Sequence, residues 1–162
     1  MGVPYTFFVS GIPVPQGSKS AFVRGGRAVV VEGASKSQRD RHAAWRADVT
    51  LAARLSRHGP DPITGPVDVR LDFYFPLPKG DQHRPAHTVA PDIDKLVRNV
   101  LDGLTNSGLI RDDSQVVMVA ASKNYARGPW TPGVNVEVTD LTLEAQGFRE
   151  ALKAEAKRKR RA

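Results

Sequence analysis

Four aspartates stand close together in the stretch PDIDKLVRNVLDGLTNSGLIRDDSQV, residues 91 to 116: Asp92 and Asp94 near its start, Asp112 and Asp113 near its end. The 162 residues contain no cysteine, so a metal would be held by oxygen or, failing that, by histidine. If three carboxylates converge within about 4–6 Å, they raise one another's pKa, and a divalent cation relieves the repulsion. All-oxygen, carboxylate-rich ligation suits Mg²⁺ or Mn²⁺, which keep several waters and complete their shells with phosphate oxygens. Each pair also has a plain structural role, Asp92 and Asp94 as helix cap and dipole partner, Asp112 and Asp113 as turn residues.

These acids lie in a chain of formal charge +7. Its last ten residues, KAEAKRKRRA, hold six Lys/Arg against one Glu, so five of the seven charges sit in that tail. Such a block is expected to be disordered and drawn to polyanions; Arg158, Lys159 and Arg160 are its candidate phosphate contacts. Metals held by the acids, rather than the acids themselves, would then face the nucleic acid.

The elements that must position the acids are legible in part. From Ile93 the apolar residues Ile93, Leu96, Val97, Val100, Leu101 and Leu104 recur at offsets 0, 3, 4, 7, 8 and 11, one face of an amphipathic helix that ends near Gly108. Asp94 and Arg98 fall just beyond the edge of that face, at the rim of a cleft, and Asp102 is expected further along the same flank and more exposed. A helix of about 14 residues is some 20 Å long. Asp113 therefore meets Asp92 and Asp94 only if the strand from Gln115 turns back antiparallel beneath the helix, beside the strand Val67 to Phe75. That strand alternates, with Val67, Val69, Leu71, Phe73 and Phe75 facing a core and Asp68, Arg70, Asp72 and Tyr74 facing away, as a half-buried antiparallel strand does.

Earlier in the chain, Tyr5 to Ile12 reads as a strand, and a loop carrying Lys19 leads to a hairpin turning at Gly25-Gly26. Ser35 or Ser37 caps a long helix whose apolar stripe includes Ala44, Trp45, Val49, Leu51, Ala52 and Leu55. Its arginines, Arg39, Arg41, Arg46, Arg54 and Arg57, form a solvated face or touch a DNA backbone. Two more strands follow the acidic segment. The order implies an α+β single domain over residues 1–145, a mixed β-sheet with helices packed on one face, followed by a basic tail over 146–162. His83-x3-His87 would suit a metal only on a helix, and Pro85 lies between them. Gly-rich phosphate loops and the GxSxG and HExxH patterns are absent. No apolar run approaches the roughly 18 residues that span a bilayer, and the first residues lack the features of a signal peptide, so a soluble intracellular protein is expected.

The acidic segment resembles the RusA family of Holliday junction resolvases, whose pattern is close to D-x-D-N-L-x-K-x-x-x-D-A-L followed by a glycine and D-D-x-Q-V. The resemblance covers about 30 contiguous residues of this chain. It implies a RusA-like fold, a homodimer, and Mg²⁺-dependent cutting of branched DNA inside a bacterial cell, from a gene of phage or prophage origin. By position, Asp92, Asp94 and Asp113 stand at the metal-binding carboxylates, and Asp102 and Asp112 at acids of secondary role. Two positions depart from the pattern: Lys95 replaces the family asparagine and Arg98 the family lysine. Arginine stays charged where lysine can exchange a proton, so Arg98 is assigned to the phosphate rather than to acid–base work. Lys19, Lys95 and Arg98, with the tail, are the candidate DNA-binding residues. Two other readings stay open: a nuclease of the same chemistry on forks, flaps or duplex, and a DNA-binding protein that keeps the fold without turnover.

Overall fold

The computed structural model describes residues 4–17, 19–24, 27–32, 35–80 and 82–159. In chain order its elements are β1 (Tyr5–Ser10), β2 (Lys19–Arg24), β3 (Arg27–Glu32), α1 (Lys36–Leu55), β4 (Val67–Phe75), α2 (Ile93–Ser107), β5 (Val116–Tyr125), β6 (Gly133–Asp140) and α3 (Thr142–Lys159). One mixed sheet has the order β1-β6-β4-β5, and β2 and β3 form a separate antiparallel pair. This is the expected α+β architecture. β4 is antiparallel to β6 but parallel to β5, because the chain between β4 and β5 crosses over through α2.

The five alternating apolar residues of β4 are all buried, as are Val134, Val136 and Val138 of β6, which face the same side of the sheet. Onto that side pack Leu96, Val100 and Leu104 of α2 and Trp45, Val49 and Ala53 of α1. The two helices meet closely at Gly103, where an added Cβ would lie 2.6 Å from a methyl of Val49. Gly108 ends α2 in the left-handed region at φ 73°, which glycine adopts without steric cost.

Ser35, of the two expected caps, starts α1 and closes a reciprocal capping box with Gln38. The expected stripe on α1 holds at Trp45, Val49 and Ala52 but not at Ala44, Leu51 and Leu55, which are exposed. The buried set steps 45, 49, 52 and 53 around the helix, and Leu51 and Leu55 fall outside that arc. Lys19 opens β2 rather than lying in a loop, and the Gly25-Gly26 turn lies outside the described residues. On β4, Asp68 was expected on the open side, yet it is buried and bound at 3.4 Å to Arg70.

The expectation of a disordered tail is corrected by α3, which runs through it to Lys159. Alanine, leucine, glutamate and lysine are strong helix formers, and the ion pairs Glu150–Lys153 and Glu155–Lys159 add support at helical spacing. Among the described residues no helix is long and apolar enough to cross a membrane.

Candidate active site

Asp94, Arg98 and Asp113 line one groove of about 430 Å³, with Val97 and Leu101 of α2 on one wall and Val119 of β5 on the other. The helical stripe produces this. Leu96, Val100 and Leu104 are drawn into the core, which leaves Val97 and Leu101 half-buried at the groove and Asp94 and Arg98 at its mouth. β5 runs parallel to β4, so α2 runs back against both, and Asp113 approaches the groove from the C-terminal side of α2. Asp94 and Asp113 are exposed, and among the described residues neither carboxylate is hydrogen-bonded or ion-paired. They are uncommitted oxygen donors beside a permanent cation.

Asp92 is placed differently. It occupies the N-cap position of α2, but its side chain makes no capping hydrogen bond. Its carboxylate instead accepts from Lys95 Nζ at 2.9 Å. That bond and the ammonium charge hold Asp92 below the usual carboxylate range, and Asp92 in turn raises Lys95. The groove thus gathers Asp94, Arg98 and Asp113, while Asp92 is turned to Lys95. Among the described residues no three acidic or histidine side chains are already assembled as a metal cage. The donor chemistry present, carboxylate oxygens open to solvent, fits a hard divalent cation and not a soft one.

The other acids of the segment do structural work. Asp112 accepts from the backbone N–H of Ser114 at 2.9 Å and caps the 3-10 turn Asp113–Gln115; that bond holds its carboxyl below the usual range. Asp102 is not the exposed flank residue expected. It is half-buried, 3.0 Å from Arg46 and 3.0 Å from the amide of Gln16. Eight residues after Asp94, it is rotated about 80° further around α2, toward the side that Asn99 and Gly103 present to α1. Asn99, fully buried, accepts from Arg46 at 3.1 Å and donates to the Val14 carbonyl at 2.8 Å. With Gln16 N–H donating to the Lys95 carbonyl at 2.9 Å, these bonds strap residues 14–16 along α2. Arg46 is therefore a structural residue and not part of a solvated face, and Arg57 likewise binds the Ser107 and Pro60 carbonyls.

Two residues that no motif reading assigned a role fix the acids from behind. Gln115 accepts from the N–H groups of Arg111 (2.7 Å) and Asp112 (3.2 Å) and donates to the carbonyls of Ile63 (2.9 Å) and Gly65 (2.8 Å). An amide is the side chain that offers both functions in one plane, which is the signal its place in DDSQV carries. Lys123 donates to the carbonyls of Val89 and Pro91, both at 2.8 Å. Of the remaining candidates, Lys19 opens β2, Arg158 and Lys159 lie in the last turn of α3 with Lys159 bound to Glu155 at 2.8 Å, and Arg160 lies outside the described residues. His87 is buried and stacks on Phe75 at a centroid distance of 4.1 Å; burial, with help from the Lys123 charge, lowers its pKa, which favours the neutral ring.

The family model described as Endodeoxyribonuclease RusA matches residues 12–139, a span that holds the strap, the groove and both acidic pairs. The chain is also similar to the Uncharacterized protein YqaN of Bacillus subtilis (strain 168), with 34% identity over 137 residues, 76% of this chain and 89% of that protein. A match that takes in β4, β5, nearly all of β6 and both sides of the groove leaves one reading of its ancestry: this chain belongs to the RusA endodeoxyribonuclease family.

Proposed function

We propose that the protein is a Mg²⁺-dependent, structure-selective endodeoxyribonuclease that resolves Holliday junctions by hydrolysing phosphodiester bonds, and that Mn²⁺ substitutes for Mg²⁺. The observation that carries this is the groove shared by Asp94, Arg98 and Asp113, two uncommitted carboxylates and a fixed cation in a chain of net charge +7. Asp92, Asp94 and Asp113 hold the cation, and Asp92 leaves Lys95 to do so. Bound there, a divalent ion would supply a water of lowered pKa and stabilise negative charge on the phosphate. Arg98 lies against the phosphate oxygens and keeps its charge throughout. Lys19, Lys95 and the tail residues Arg158, Lys159 and Arg160 contact the DNA arms.

A homodimer suits a branch point that needs two symmetric cuts. β5 supports it as an edge strand, with Val117, Met118 and Val119 exposed and no charged side chain from Val116 to Ser122. Long apolar edges of this kind are normally covered. The test is a panel of four-way junctions, forks, flaps and duplexes incubated with Mg²⁺. Paired, symmetric nicks in the junction are expected, at rates well above those on duplex. Equal cutting of all substrates would replace the junction assignment with a general nuclease.

The Asp92–Lys95 pair is the observation that favours the reading without turnover, since it withdraws one carboxylate. It also makes a prediction. Lys95→Asn is expected to tighten Mn²⁺ binding about two- to fivefold, the scale of an exposed ion pair. Electron paramagnetic resonance of free Mn²⁺ measures this directly, and weaker binding by the variant would show that Lys95 does not compete with the metal.

A further inference from the structure

Lys123 occupies a position where the strand pattern calls for an apolar side chain. In the β4–β5 register it stands opposite Phe73, between Ala121 and Tyr125 on the side of the sheet that the helices cover. A lysine there extends its stem along apolar surface and carries its ammonium to whatever acceptors lie within reach. The acceptors are the carbonyls of Val89 and Pro91, both at 2.8 Å. The Pro91 carbonyl belongs to the peptide that joins Pro91 to Asp92, so Lys123 grips the chain one bond before the first acid and three residues before Asp94. Asp92 itself makes no capping bond to α2, so the cap side chain does nothing to fix the entry of the helix.

We infer that Lys123 is a positioning residue, tying the segment that enters α2 to the rigid edge of the sheet and thereby setting where Asp92 and Asp94 present their carboxylates to the metal. This rests on the metal reading of the groove. The ammonium donates at once to two carbonyls on one chain, and a charged donor makes hydrogen bonds about twice as strong as a neutral one. Gln115 performs the corresponding task for Asp113, so each limb of the site is held by a side chain that does not line the groove.

The experiment compares wild type with Lys123→Met, Lys123→Arg and, as a control outside both the groove lining and the basic tail, Lys79→Met. Mn²⁺ binding is measured by electron paramagnetic resonance without DNA, alongside thermal melting and single-turnover cleavage of a four-way junction across a metal titration. Lys123→Met is expected to weaken Mn²⁺ binding about 10- to 100-fold, the usual cost of losing a group that orients a ligand. Its cleavage rate should recover as metal is raised. Lys123→Arg, which still donates to two carbonyls, should return both quantities to within a few-fold of wild type, and Lys79→Met should change neither. If Lys123→Met does not fold, Lys123→Gln carries the same comparison, with binding expected between those of wild type and the metal-free baseline. A folded Met or Gln variant with wild-type Mn²⁺ affinity overturns the inference, as does an Arg variant as impaired as Met. Wild type that binds no Mn²⁺ overturns the metal reading instead, so the two failures are told apart.

Discussion

Asp94→Asn is expected to lower junction cleavage by about three orders of magnitude or more while leaving junction affinity within a few-fold of wild type. The substitution keeps the size of the side chain and removes one negative oxygen from the groove. Asp94 lies at the exposed edge of α2 with no partner among the described residues, so its loss leaves no stranded donor and no cavity. Asp113→Asn should behave alike for the same reason. Asp112→Asn is the informative contrast, because an amide oxygen can still accept from Ser114 N–H and keep the turn. It should retain most of the activity. Binding by all three variants should fall with salt along the same line, at about −0.9 in log-log slope for each phosphate neutralised. A fully active Asp94→Asn enzyme would remove Asp94 from the metal site, and a flat salt response would remove the electrostatic account of DNA docking.

The place of Asp94 at the groove is legible in the sequence because it depends on a single helix. Six apolar residues at offsets 0 to 11 fix which side of α2 is buried, and the angle per residue then puts Asp94 and Arg98 at its edge. Asp102 was misplaced by the same arithmetic, since the helix period says how far a side chain is rotated but not what stands opposite. Its partners, Arg46 and Gln16, are 56 and 86 residues away in the chain. The inward face of β4 was legible by alternation, whereas its two neighbours were not, because parallel pairing with β5 follows from the crossover through α2. Lys123 was invisible for a related reason. A lysine between apolar strand residues reads as solvent-facing, and only the path of residues 89–91 across the end of the sheet supplies acceptors for it. The charge of the tail taken alone points to disorder, whereas its alanines and its Glu–Lys spacing at three and four residues are what α3 is built on.

Gln115→Ala should cost both stability and activity, in a pattern that no surface substitution reproduces. The amide closes four hydrogen bonds that join the chain leaving α2 to the chain entering β4, where Ile63 and Ile110 also form a parallel bridge. Each such bond contributes about 0.5–1.5 kcal/mol net, and the N–H groups of Arg111 and Asp112 can turn to water, so the loss is about 2 kcal/mol in total. For a domain of this size that lowers Tm by about 4–8 °C. The fold survives this, since Leu109 and Ile110 remain buried. Asp113, two residues before Gln115, loses its fixed approach to the groove, and cleavage should drop about 10- to 100-fold with a raised metal requirement. Gln115→Glu separates the two halves of the clamp. A carboxylate still accepts from the Arg111 and Asp112 N–H groups but sets a negative oxygen against the carbonyls of Ile63 and Gly65, so it should melt no higher than the alanine variant. If Gln115→Glu instead matched wild type in Tm and in metal dependence, donation to those two carbonyls would not be what holds Asp113 in place.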